Sequence, residues 1–245
     1  MAATREAARL TEAHRLAQGR VSAATVRRML SVWPLLRVED LDASFPGWLA
    51  AVVPVVRAGK TTSARMAANY LATFRALELG VDAAPAAPVV ADEVDPAAVS
   101  ASMLVTGPAR IRAASARGVP IARAVVLAQT ASARAAARHS LAGGRDTIEQ
   151  TVAADRQALG VARSTSGSPC HFCAMLASRG PVYKSEATAG LRPHDGCHCQ
   201  PEPVYRRDAA WPAGAQRYRE LWDETTAGLS GNDAVNAFRR ALTAA

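Results

Sequence analysis

Outside the stretch Ser168–Cys199 this sequence of 245 residues contains no cysteine, and only 5% of its residues are aromatic. A β-sandwich draws on aromatic and β-branched side chains, so a chain poor in aromatics and rich in alanine points to closely packed helices instead. Long apolar runs are absent too. The most apolar windows, Trp48–Gly59 and Ile121–Ala131, are broken by Pro or Arg and fall well short of the roughly 20 residues of a membrane span. The N-terminal MAATREAARLTEAHRLAQGR has no apolar signal region. Also missing are an internal repeat and a nucleotide-binding glycine motif. These absences lead to the expectation of a protein made in a reducing cytoplasm, with no membrane partner. There, clustered thiols are metal ligands or free thiols more often than disulfides.

Lysine is nearly absent as well: of 29 basic residues only Lys60 and Lys184 are lysines, and the net charge is +8. Acidic residues vanish between Pro96 and Arg145, where Arg110, Arg112, Arg117, Arg123, Arg134, Arg138 and Arg145 lie. Such a run reads either as a face toward DNA or an acidic protein surface, or as a solvated helix face. The first six of these arginines are the candidate partner or DNA contacts.

What is present is mostly helix. Thr4 to about Gln18 reads as one helix, and Ser22 caps a second that Pro34 ends. Phe45–Arg57 reads as a third, interrupted near Pro54. Thr61 or Thr62 opens a fourth with an apolar stripe of Met66, Tyr70, Leu71, Phe74 and Leu77. Residues 81–97, with three prolines, read as a linker, and Asp95-Pro96 as a cap followed by proline at the first helical position. Helices then follow from Ala97, Pro108 and Pro120. Gly143-Gly144 is expected to break the last of these, with Asp146 capping another. His139-Ser140 reads as surface. After Gly160 the texture changes: VARSTSGSPC suits a short strand and a turn. Residues 213–227 and 232–242 read as helices anchored by Trp222 and Phe238. The expected fold is therefore mainly α. It has an N-terminal helical region (1–80), the linker, an Arg-rich helical region (98–160), a small α+β cysteine-rich module resembling a zinc knuckle (161–206) and C-terminal helices (207–245).

The thiols have a definite pattern: Cys170-x2-Cys173, then Cys197-x-Cys199, with His194 three residues before Cys197. A C-x2-C turn sets two thiolates at the separation a tetrahedral Zn²⁺ needs, and a second pair completes the set. Either all four cysteines bind, or Cys170, Cys173 and His194 bind with one of Cys197 and Cys199. His171 and His198, lying between ligands, are expected to point away. A structural zinc site is the leading reading. A loop pinned by two disulfides or left as free thiols is the second, and a catalytic metal the third, since four protein ligands leave no open position for water. The intervening loop is too polar to hold its own shape, so a clip at its ends makes physical sense.

The run from CHFCAMLASRGPVYKS through PHDGCHCQPEPVY resembles the minor head proteins of tailed bacteriophages of the MuF-like class, in their actinophage versions. The matching residues are Cys170, Cys173, Leu176, Gly180, Tyr183, His194, Cys197, Cys199 and Pro201, over about forty residues. The resemblance implies a virion protein near the portal vertex, assembled in the host cytoplasm. It also implies contacts to portal and major capsid protein, a role in head assembly and in DNA packaging or delivery, and no catalysis. Other classes fit less well. An HNH-type nuclease needs a histidine base and a second metal site, and His194-Asp195 is poorly spaced for that. A maturation protease needs a Ser/His or Asp pair in a β-rich fold. A DNA-binding zinc module would carry more basic and aromatic residues than Arg179, Lys184 and Arg192.

Overall fold

The computed structural model describes residues 4–80, 87–165, 169–180, 193–207, 211 and 213–244. Tyr183, Lys184 and Arg192 fall outside them. The order is α1 (Arg5–Val32), two 3₁₀ turns (Trp33–Leu35 and Val38–Asp40), α2 (Leu41–Leu79), α3 (Pro96–Thr106), α4 (Pro108–Ser115) and α5 (Ile121–Ala154). Then come β1 (Gly160–Ser164), α6 (His171–Ala177), β2 (Gln200–Val204), α7 (Ala213–Thr226) and α8 (Gly231–Ala244). The described residues are mainly helical, as the composition predicts.

Three long helices replace six expected short ones. α1 runs through Ser22, which is buried within it and caps nothing. α2 continues through Pro46 and Pro54, whose rings are both exposed. A proline inside a helix removes one N–H bond and crowds the preceding turn. Here the buried side of α2 carries Trp48, Val52 and Val56, all fully buried, and holds the helix through that defect. α5 likewise runs unbroken through Gly143-Gly144. Those glycines are where α5 meets α2: a Cβ on Gly143 would stand 2.3 Å from the Lys60 carbonyl oxygen, and one on Gly144 2.7 Å from Ser63 Oγ. Here glycine gives close packing, although its usual effect inside a helix is to weaken it.

The same crossing is laced with polar bonds. Gln18 Nε2 donates to the Ser63 carbonyl at 3.0 Å, Ser63 Oγ donates to Gln18 Oε1 at 2.6 Å, and the Gly144 amide donates to Ser63 Oγ at 2.9 Å. Thr25 Oγ1 donates to Ser140 Oγ at 3.2 Å. Ser140 is fully buried and His139 half-buried, against the expectation that both lie on the surface.

Apolar side chains form a core at each end of the bundle. One joins Met29, Trp33, Trp48, Val52, Met103, Ile111 and Ala128, with Trp33 edge-on to Trp48 at 5.4 Å. The other joins Ala7, Tyr70, Phe74, Ile148, Val161 and Tyr205. Of the sequence stripe on α2, Tyr70, Leu71 and Phe74 are buried, while Met66 and Leu77 are each 37% exposed. Residues 87–95 run along α5, where the Val89 and Ala91 amides donate to the hydroxyls of Thr151 and Thr147. Asp95 caps α3 ahead of Pro96, as its sequence predicts.

β1 and β2 pair antiparallel, with Gly160 opposite Val204 and Ser164 opposite Gln200. Val161 and Tyr205 plug the pair into the second core. α6, α7 and α8 pack together around Ala174, Met175, Tyr218 and Phe238, with Trp222 5.3 Å from Phe238. No helix among the described residues is long and apolar enough to cross a membrane.

Candidate metal centre

The strand register assembles the site. Because Ser164 faces Gln200, the chain leaving β1 toward Cys170 and the chain entering β2 from Cys199 meet at one end of the pair. Cys170 caps α6, its Sγ accepting the Cys173 amide at 3.4 Å, so one helical turn sets both thiols on the same side. On the opposite loop His194-Asp195-Gly196-Cys197 closes a tight turn, with the Cys197 amide donating to the His194 carbonyl at 3.0 Å. Gly196 occupies its third position with φ +82°, which favours glycine.

All five sequence-predicted ligands converge. Cys170, Cys173 and His194 place their donor atoms within 4.8 Å of one another, and so do Cys173, Cys197 and Cys199. Cys173 belongs to both trios. Its Sγ lies 3.5 Å from Cys197 Sγ, and His194 Nε2 lies 2.9 Å from Cys170 Sγ. Thiolates on one tetrahedral zinc stand about 3.8 Å apart, so the cluster has the right compass. All four cysteines are free thiols. Cys173, Cys197 and Cys199 are buried, and Cys170 and His194 are more open.

The donors share protons among themselves. Hydrogen bonds from the thiols of Cys173 and Cys199 hold Cys197 far below its ordinary range, and the charge of Arg145 adds to this. Cys173, as the donor to Cys197 and Cys199, is pushed up. Cys199 is pushed up to about 12 within the same shared network. Burial opposes ionisation of Cys170, but the Cys173 amide and His194 outweigh it and lower its pKa. His194 is raised: burial opposes this, but the Asp195 carbonyl and Cys170 favour the imidazolium. Cys170 and Cys197 thus lean to thiolate while Cys173, Cys199 and His194 keep their protons, so a metal that binds here displaces protons from them.

Two arginines complete it, and neither stood among the candidate ligands or contacts. Arg145, on α5, is 2% exposed. It donates through Nε to the Cys199 carbonyl at 3.1 Å and through Nη2 to the Cys197 carbonyl at 2.7 Å. Arg163, on β1, is 5% exposed and points Nη1 at Cys173 Sγ, 3.9 Å away. Arg145 Nη1 and Arg163 Nε have no hydrogen-bond partner among the described residues. Buried guanidinium groups demand negative charge nearby. A divalent cation held by three or four thiolates is a net anion, so the donor set and its surroundings fit zinc. The residues that would hold it come from the two trios: Cys173 with three of Cys170, His194, Cys197 and Cys199. Arg145 was legible in the sequence only as the last member of the acid-free run, read there as a contact face or a solvated one; it is buried under the C-x-C loop instead.

The candidate contact arginines scatter. Arg110, Arg117 and Arg123 are exposed. Arg112 pairs with Asp42 at 2.7 Å, and Arg138 Nε pairs with Asp195 Oδ1 at 2.7 Å while its Nη2 donates to Ser102 Oγ. Arg134 is exposed, and its side chain lies against Gly196. The stretch is free of acid in sequence but not in space, because α2 and the metal loop bring their own carboxylates to it.

The family model described as VG15 protein matches residues 1–225, which takes in both the helical bundle and the cysteine centre. The chain belongs to the VG15 protein family. This is a family of phage proteins. No curated protein and no solved structure matches the chain. The VG15 match begins ahead of α1 and ends within α7.

Proposed function

We propose that this VG15-family chain is a structural minor head protein of a tailed phage, of the MuF-like class, acting near the portal in head assembly and in DNA packaging or delivery. The observation that carries the reading is the converged set Cys170, Cys173, His194, Cys197 and Cys199 in a chain whose family is phage-encoded. The spacing of that set resembles the one in MuF-like proteins. Zinc here serves the fold: the donors are thiols and an imidazole of the chain itself, Arg145 behind them holds the carbonyls of Cys197 and Cys199, and Arg163 faces the Cys173 sulfur. The protein is not an enzyme on this reading. Its partners are portal and major capsid protein, with packaged DNA met through Arg110, Arg117 and Arg123. It travels in the virion.

The test is quantitative mass spectrometry of purified virions together with infection by a phage lacking the gene. The expected outcome is a few copies per head, far below the major capsid protein, and heads that fail to package or deliver DNA. A protein found only in infected-cell extract, with normal virions formed in its absence, would overturn the reading.

A further inference from the structure

The exposed side of the α1–α2 pair carries a groove of about 330 Å³, lined by none of the cysteine-centre residues. Its floor comes from side chains too short to fill the space between the helices: Val21 and Ala24 from α1, Ala58 and Gly59 from α2. Arg20 and Arg28 stand on one wall and Met66 on the other, all three exposed. The stretches of both helices that line it are free of acid. No Asp or Glu occurs between Glu12 and Glu39, or between Asp42 and Glu78. Arg27, Arg57 and Arg65 add exposed positive charge to the same helices.

We propose that this groove docks an acidic amphipathic helix of a partner protein, whose bulky apolar side chains fill the floor and whose carboxylates meet Arg20 and Arg28. The inference stands apart from the phage reading and from the metal. Three features select the occupant. The floor is apolar, so part of the ligand must be apolar too. The rim is cationic with no carboxylate near it in sequence on either helix, so the rest must be anionic. The groove walls are helices whose backbone bonds are internally satisfied, so strand addition is closed off and a helix laid in the groove is the recognition mode that remains. A DNA duplex would meet the arginines through phosphates but leave the floor empty.

The experiment is selection of a randomised 16-residue peptide library on the full chain, followed by affinity measurement on variants. Ala58→Trp and Ala17→Trp each fill the groove from an accessible position, and Arg20→Gln with Arg28→Gln removes the rim charge. Expected are enriched peptides with excess Asp and Glu and with Leu or Phe at helical spacing. They should bind at least tenfold more weakly to either Trp variant. They should bind at least fivefold more weakly to the double Gln variant at low salt, a difference that shrinks at high salt. Circular dichroism melting confirms that each variant is folded. The proposal is overturned by the absence of enriched peptides, by enriched peptides without acid excess, or by peptides that bind both folded Trp variants undiminished. It is equally overturned if a 20-base-pair duplex loses affinity with the Gln changes while the peptides do not, which would make this a nucleic-acid face.

Discussion

Cys173 is the residue on which the candidate centre turns, since both trios of donors include it. Elemental analysis of protein prepared under reducing conditions is expected to find about one zinc per chain, and Cys173→Ser should abolish it. Cys170→Ser or His194→Ala, each leaving the other as a fourth donor, should weaken binding and leave some in place. Protein free of metal with two disulfides intact would refute the zinc model. Arg145 is expected to matter almost as much without touching the ion. Arg145→Met keeps the bulk and removes both hydrogen bonds to the C-x-C carbonyls. Loss of such a supporting contact typically weakens metal binding about 10–100-fold. Competition with a zinc chelator, with helicity followed in parallel, separates this effect from general unfolding. Equal zinc affinity in wild type and a folded Arg145→Met would show that the arginine only packs.

At the scale of the element, the long helices depend on small residues where they cross. A methyl group at Gly143 would sit 2.3 Å from a backbone oxygen and 2.8 Å from Lys60 Cγ, and the oxygen cannot swing aside. Gly143→Ala should therefore destabilise the protein by about 1–3 kcal/mol, the usual cost of forcing atoms into a packed interior. Gly19, mid-helix in α1, has open space around it, with nothing within 4 Å of the point a Cβ would occupy. Gly19→Ala should stabilise by about 0.5–1 kcal/mol, the ordinary gain from replacing glycine inside a helix. Thermal melts of the two variants should move in opposite directions; movement in the same direction would contradict the packing account. The sequence alone treats these glycines alike, because helix propensity knows nothing of what lies across the crossing.

For the whole molecule, burial sets the response to acid. His14 is 6% exposed, stacks on Tyr70 at 4.4 Å and has its pKa lowered to about 4 by burial. The folded state thus favours the neutral ring. That contribution is complete above the unfolded value near 6.5 and is lost as pH falls toward 4, about 3 kcal/mol in all. His139, also lowered to about 4 by burial and by Arg138, acts in the same direction. Denaturant midpoints should fall between pH 6.5 and 4, less steeply in His14→Phe; an unchanged slope in that variant would exclude His14 as a cause. The arginines are a second whole-molecule question. Gln substitution of Arg110, Arg117 and Arg123 should reduce DNA binding and its salt slope without lowering stability, because each neutralised phosphate releases a counterion. Substituting Arg138 should instead cost stability, since it holds Asp195 and Ser102 in a partly buried site, while Arg112, whose pair with Asp42 is exposed, should cost little. DNA binding unaffected by the first set would leave those three as a solvated face.

By itself, the sequence determined the helical class, the cap at Asp95, the anchors Trp222 and Phe238, and the five candidate ligands. These follow from local rules: propensity, capping chemistry and the short spacings of a C-x2-C and an H-x2-C-x-C. Only the tertiary structure decided that six expected helices are three. A proline or a glycine pair weakens a helix locally, and only the burial of Trp48 or the close approach to Lys60 shows that packing outweighs it. It alone decided that Arg145 serves the cysteine loop and not a surface, because 52 residues separate Arg145 from Cys197. No local pattern links them: they meet because the β1–β2 register, plugged into the core by Val161 and Tyr205, brings the C-x-C loop down onto α5.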